Sequence, residues 1–140
     1  MSELTPQLLR LFEQVGREMH NKVCDPDNEF SQKFTFSQIR LLRFLSHAKK
    51  SSMADIAEHL LITPASATSA VDRLVQLHWL NRINDEQDRR KVLVSIHPDK
   101  VKDWKAHSQD QLKRLTEFLN VLDSKQKSKL INILQSLVKQ

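Results

Sequence analysis

Apolar residues along this chain recur mostly at steps of three and four, the spacing of one helix face, and switch to another rhythm once, after residue 80. Over residues 5–24, Leu8, Leu11, Phe12, Val15, Met19 and Val23 form a single stripe. Thr5 ahead of Pro6 reads as an N-cap followed by the first helical position, where proline's missing N–H costs nothing. Residues 25–34 break the pattern and read as a loop. Thr35 with Gln38 forms a capping box for a second helix over 36–48, with Ile39, Leu42 and Leu45 inward and Phe44 alongside. Ser52 with Asp55 opens a short third helix ending near Leu60, and Leu61 and Ile62 form a tight turn. Thr63-Pro64 then caps a fourth helix running to about Leu77.

The change of rhythm marks a hairpin. Arg82 and Ile83 lead into a polar tip holding Asp85, Glu86, Asp88, Arg89, Arg90 and Lys91, and Val92–Ile96 leads away. His97-Pro98-Asp99 starts a long helix to about Leu122, and Asp123 with Gln126 makes a capping box for a last helix. The predicted fold class is mainly α, an α+β winged helix. A helix-turn-helix carrying a basic hairpin occupies residues 35–97, inside a single domain of residues 1–140. The flanking helices, in 1–34 and 98–140, hold more apolar surface than a small winged helix can cover. Leu112, Leu115, Phe118, Leu119 and Leu122 make one stripe, and Leu130, Ile133, Leu134, Leu137 and Val138 another. The expectation is a homodimer interface; the plainer alternative is that these helices pack on their own domain.

Composition narrows the class. At 39% apolar and 28% charged residues the chain has a globular make-up. A single cysteine, Cys24, allows no internal disulfide framework and fits a reducing cytoplasm. The start of the chain lacks the basic-then-apolar pattern of a secretory signal, and no apolar run is long enough for a membrane, so a cytoplasmic protein is expected. The net charge of +5 says less than it first suggests: residues 100–140 carry all of it, and residues 35–98 amount to only +3. With one glycine there is no phosphate-cradling loop, and no His-Glu-x-x-His or nucleophile motif occurs, so neither an enzyme nor a cofactor is expected.

On a helical wheel of residues 64–77, Ala67, Ala70, Val71, Leu74 and Leu77 fall on one side. Ser66, Thr68, Ser69, Asp72, Arg73 and Gln76 fall on the other. Short hydroxyl side chains near a helix N-terminus suit entry into a major groove, and Arg89 and Arg90 on the hairpin suit a flanking minor groove. Asp88 would repel phosphate, so its expected role is to brace the tip. The plainer reading of both groups is a solvated surface. It is the turn before the helix and the hairpin after it that favour double-stranded DNA.

The stretch from Phe34 to Ile96 resembles the MarR family of bacterial and archaeal transcription regulators. The matching marks are Thr35-Phe36-Ser37-Gln38, Ala54-Asp55-Ile56-Ala57, Val71-Asp72-Arg73-Leu74 and, most specific, Asp85-Glu86-Gln87-Asp88-Arg89-Arg90 ahead of Val92–Ile96. The resemblance implies a homodimer of triangular outline on a pseudo-palindromic operator, usually repressing and often released by a small phenolic or lipophilic effector. By position it implies that Ser66, Thr68, Ser69 and Arg73 face the major groove, that Arg89, Arg90 and Lys91 serve the wing, and that Asp88 braces it. The chain departs from the family pattern in three places. His78 stands where a glycine is usual, Ser69 where many relatives have arginine, and His97-Pro98 where a Thr-x-x-Gly precedes the long helix.

Candidate sensing groups are sparse. Cys24 sits beside Asp25 and Asp27, which disfavour a thiolate, and the tyrosines of the family's peroxide-sensing branch are missing. His20 and Cys24 share a helix face as half of a possible metal site, but the other histidines show no ligand spacing, so no metal is expected. Phe12, Met19, Phe30, Phe34, Phe36 and Trp104 are candidates to line an effector pocket, although such residues are more often core. From a different functional class, a winged-helix protein–protein module with only non-specific DNA affinity is the competing reading.

Overall fold

The computed structural model describes residues 2–140. Among these residues seven α-helices and three strands follow one another as α1 (Leu4–Met19), α2 (Glu29–Lys33), α3 (Phe36–Ala48), β1 (Lys50–Ser52), α4 (Met53–Leu60), α5 (Pro64–Gln76), β2 (Leu80–Asn84), β3 (Val92–Ile96), α6 (Val101–Phe118) and α7 (Ser124–Val138). A π-helical turn, His20–Cys24, continues α1, and 3-10 turns precede and follow α6 at Pro98–Lys100 and Leu119–Val121. The chain divides into two compact units, Asp27–His107 and the segments on either side of it.

The Asp27–His107 unit is a winged helix. Its core takes Leu41, Leu42 and Leu45 from α3, Ile56 and Leu60 from α4, Ala67, Val71 and Leu74 from α5, then Trp79, Leu80, Val94 and Trp104. Small Ala67 at the start of α5 lets α4 and α5 approach, and the sheet closes the far side. β3 is central, with β1 and β2 antiparallel on its two edges. In the hairpin Leu80 lies opposite Ile96, Arg82 opposite Val94 and Asn84 opposite Val92.

The caps read from sequence at α3, α4, α5 and α7 are all made. Thr35 Oγ1 accepts from the Gln38 N–H at 3.2 Å while Gln38 Oε1 accepts from the Thr35 N–H at 2.9 Å. Ser52 caps α4 through the Asp55 N–H, and Asp123 and Gln126 close a second reciprocal box on α7. At the N-terminus the expected cap is displaced. Helix α1 begins at Leu4, so Thr5 lies inside it and its N–H reaches Ser2 O, while Pro6 remains in the first turn, where no donor is needed.

Two further elements differ from expectation. Residues 25–34 are not all loop: Asn28 accepts from the Ser31 N–H at 2.7 Å and starts the single-turn-scale helix α2, too short to show a period. Strand β1 carries no apolar alternation at all; Lys50–Ser52 pairs because β3 offers it an open edge, with Ser51 buried opposite Val94. The His97-Pro98 departure is absorbed locally. His97 Nδ1 accepts from the Asp99 N–H at 3.1 Å, so the imidazole caps the turn ahead of α6.

Helices α4 and α5 both end in a Schellman motif. Ile62 N–H bonds Ala57 O and Leu61 N–H bonds Glu58 O after α4; Trp79 N–H bonds Leu74 O and His78 N–H bonds Val75 O after α5. The motif needs a left-handed residue at its apex, and these are Leu61 (φ 55°) and His78 (φ 61°), neither a glycine. Both side chains are exposed, Leu61 at 88%, so neither gains packing in return. Leu61→Gly and His78→Gly are each expected to stabilise the unit by about 0.5–1 kcal/mol, measured by urea denaturation. A loss of stability in both variants would contradict the apex assignment.

The second unit holds α1, the C-terminal part of α6 and α7. Asp25, itself left-handed, receives Arg114 at 3.0 Å, and Arg114 also bonds Asp110 at 2.8 Å. The two carboxylates, Asp110 foremost, raise the guanidinium's pKa further. Leu8, Leu11, Phe12 and Val15 on α1, with Leu112, Ile133, Leu134 and Leu137 on α6 and α7, are all exposed. No helix among the described residues is long and apolar enough to cross a membrane.

Candidate nucleic-acid interface

Helix α5 is organised by what it buries. Ala67, Val71 and Leu74 are fully buried, which turns Ser66, Thr68, Ser69, Asp72, Arg73 and Gln76 outward. Its entrance is tightly made. Thr63 Oγ1 accepts from the Ser66 N–H at 3.1 Å and donates its own proton to Ser66 Oγ at 2.9 Å. Thr68 Oγ1 donates to Pro64 O at 3.0 Å. Thr68 thus presents an acceptor outward, whereas Ser66 keeps its own O–H to donate. Ser69 and Arg73 lie further along the same exposed face.

The wing tip is a wound turn. Asp85 N–H bonds Lys91 O and Lys91 N–H bonds Asp88 O, both at 2.9 Å. Two aspartates pin the turn from inside. Asp85 Oδ1 accepts from the Gln87 N–H at 3.0 Å, and Asp88 Oδ1 accepts from the Arg90 N–H at 3.1 Å and Arg90 Nε at 3.3 Å. These are Asx turns, in which a short carboxylate replaces a backbone acceptor. The Arg90 side chain is nevertheless 93% exposed, so its ion pair is weak and readily exchanged for another anion. Arg89 and Lys91 are exposed beside it.

A contact not anticipated from the sequence joins these two groups: Arg82 of β2 forms an ion pair with Asp72 of α5. The alternation of a strand carried the signal, because Arg82 lies two residues beyond buried Leu80 and so on the same face of the sheet, toward α5.

Of the six residues considered for an effector pocket, three belong to the winged-helix core and three are exposed. Phe30, Phe34 and Trp104 pack with Trp79 in the winged-helix core. Phe30 lies 4.8 Å from Phe34, 5.4 Å from Trp79 and 3.9 Å from the ring of buried His107. Phe36 is exposed on α3, and Phe12 and Met19 are exposed on α1. The aromatic rings fill the core beside its leucines and isoleucines. Cys24 closes the π turn beside Asp25, and among the described residues no three His, Cys, Asp or Glu side chains group as metal ligands.

Comparison with known proteins places this geometry. A family model described as "MarR family" matches residues 32–91, from the helix ahead of the capping box to the wing tip. An HTH-type transcriptional regulator of Bacillus subtilis, YpoP, is 27% identical over 99 residues, covering 69% of this chain and 63% of that protein. The chain therefore spans less than two thirds of that relative's length in the match. Among solved structures, Bordetella bronchiseptica BpsR, described for regulation of its DNA binding by 6-hydroxynicotinic acid, superposes with a TM-score of 0.74 at 20% identity. The match covers 94% of this chain and 98% of that one. A mutant MarR from Escherichia coli complexed with operator DNA superposes with a TM-score of 0.71 at 20% identity, covering 96% and 95%. The chain thus resembles the MarR family through its helix-turn-helix and wing, and the solved structures, both at 20% identity, share its winged-helix fold over nearly the whole chain.

Proposed function

We propose that two copies of this chain, joined through their terminal helices, bind a pseudo-palindromic stretch of double-stranded DNA and repress transcription from it. In this reading α5 enters the major groove with Ser66, Thr68, Ser69 and Arg73. The wing tip follows the flanking minor groove with Arg89, Arg90 and Lys91, and Asp88 holds that tip in shape. The observation that carries the reading is the outward face of α5, built of hydroxyls and one arginine, beside a basic tip pinned by its own aspartates. The operator-bound structural neighbour supports the same docking mode. The neighbour regulated by 6-hydroxynicotinic acid supports a small phenolic or lipophilic effector that releases DNA. The protein works in the cytoplasm and catalyses no reaction.

Selection from random duplex DNA by the purified protein, at near-physiological salt, tests this. Enrichment of an inverted repeat with half-site centres about one helical turn (roughly 10 bp) apart is expected. On the selected site Arg90→Ala is expected to lower affinity about tenfold and to flatten the salt dependence by about one ion, with the dimer intact. Salt-labile binding without enrichment would instead favour a protein–protein module. Unchanged affinity in Arg90→Ala would remove the wing from the interface.

A further inference from the structure

We infer that the Asp72–Arg82 ion pair is a positioning latch that sets the wing against the reading helix, so that both engage one DNA site together. The inference rests on the DNA-binding reading above and adds a part to it. Asp72 stands next to Arg73 on the outward face of α5, a place where a bare carboxylate would face phosphate. Arg82 lies on β2, three residues before the wing tip begins at Asp85 and on the strand face that Leu80 presents to α5.

Inside the protein the join between helix and hairpin is already firm, through the Schellman turn at His78 and the burial of Trp79 and Leu80. Beyond Leu80 the hairpin emerges from the core. Arg82, Ile83 and Asn84 are exposed, and among the described residues the tip's hydrogen bonds run within the tip, between its own backbone and aspartates. The ion pair is the side-chain tie that reaches across the gap between that emerging segment and the DNA-facing side of α5. A hairpin pivoting at its base would move Arg89 and Arg90 relative to Ser66 and Arg73. An interface held in advance avoids the ordering cost of fixing that pivot on binding.

The latch and simple charge make opposite predictions for one substitution. Asp72→Asn removes a negative charge from the face turned to DNA, which by charge alone tightens binding. If the pair positions the wing, the same change weakens binding to the selected operator, by about three- to tenfold. Both partners are substantially exposed, at 38% for Arg82 and 50% for Asp72, so melting is expected to stay close to that of the unaltered protein.

A double-mutant cycle supplies the readout that a merely structural role would not move. The loss caused by Arg90→Ala on the operator is expected to shrink in the Asp72→Asn background, because a wing that is no longer aimed contributes less. The charge swap Asp72→Arg with Arg82→Asp is expected to recover part of the affinity lost in Arg82→Asp alone. Equal or tighter operator binding by Asp72→Asn, or an undiminished effect of Arg90→Ala in its background, overturns the latch while leaving the DNA-binding reading standing. Failure of the unaltered protein to select any duplex overturns both.

Discussion

Leu8→Glu combined with Val15→Glu is expected to convert the proposed dimer to monomer and to abolish the selective DNA binding proposed above. In the single chain Leu8 is 51% exposed and Val15 46%, so an isolated protomer loses little when they become charged. A partner covering the stripe changes that balance. Fully burying an exposed aliphatic side chain contributes about 1.5–3 kcal/mol and these are about half covered already, so two per protomer weaken association by roughly a hundredfold or more, before the penalty of burying carboxylates is added. Sedimentation velocity reads the mass directly. A melting temperature that rises with protein concentration in the unaltered chain, and no longer does so in the variant, reads the same linkage. Operator binding follows, because two half-site readers that dissociate lose the effective concentration that joins them. A variant that remains dimeric would move the interface away from α1.

Trp79→Ala is expected to cost about 3–5 kcal/mol, the range for deleting a large aromatic from a packed core. Trp79 is 3% exposed and meets Phe30 and Phe34 edge-on at 5.4 and 5.2 Å, with Lys100 Nζ 5.4 Å from its ring. Its amide also closes the Schellman turn onto Leu74, so the cavity would open where the reading helix hands over to the wing. Domains of this size have about 5–15 kcal/mol in total, so this one change takes a large share of it. Chemical denaturation followed by circular dichroism gives the value, with Trp79→Phe as the milder comparison. A loss below about 1 kcal/mol would mean that the aromatic cluster is not a packed core.

What was readable in the chain is what local chemistry decides. Thr35 with Gln38, Thr63 with Pro64 and Asp123 with Gln126 announce helix starts because each cap is made by residues within three positions of one another. The inward face of α5 was readable because a 3.6-residue period survives when only one side is buried. α3 is only partly legible, for the opposite reason. It is central, so Leu41 is buried as fully as Leu42, and a one-sided stripe understates it. β1 was invisible because its three residues take their strand conformation from β3 and not from their own side chains. Phe30, Phe34 and Trp104 can be read from sequence either as core or as pocket lining, because sequence cannot tell an aromatic that faces a void from one that fills it; in the structure they are core. For the interface, the outward residues of α5 and the tip followed from period and charge. The Asp72–Arg82 pair, separated by ten residues and a reversal of the chain, needed the register of the hairpin.

The two left-handed apexes carry a consequence for the protein's abundance in the cell. Leucine and histidine at Leu61 and His78, where glycine is less strained, together leave the folded state short of its attainable stability by about 1–2 kcal/mol. That raises the transiently unfolded fraction by roughly five- to thirtyfold over a glycine-bearing version. Proteolytic turnover follows that fraction when opening is fast, so the glycine-bearing version is expected to be the longer-lived of the two.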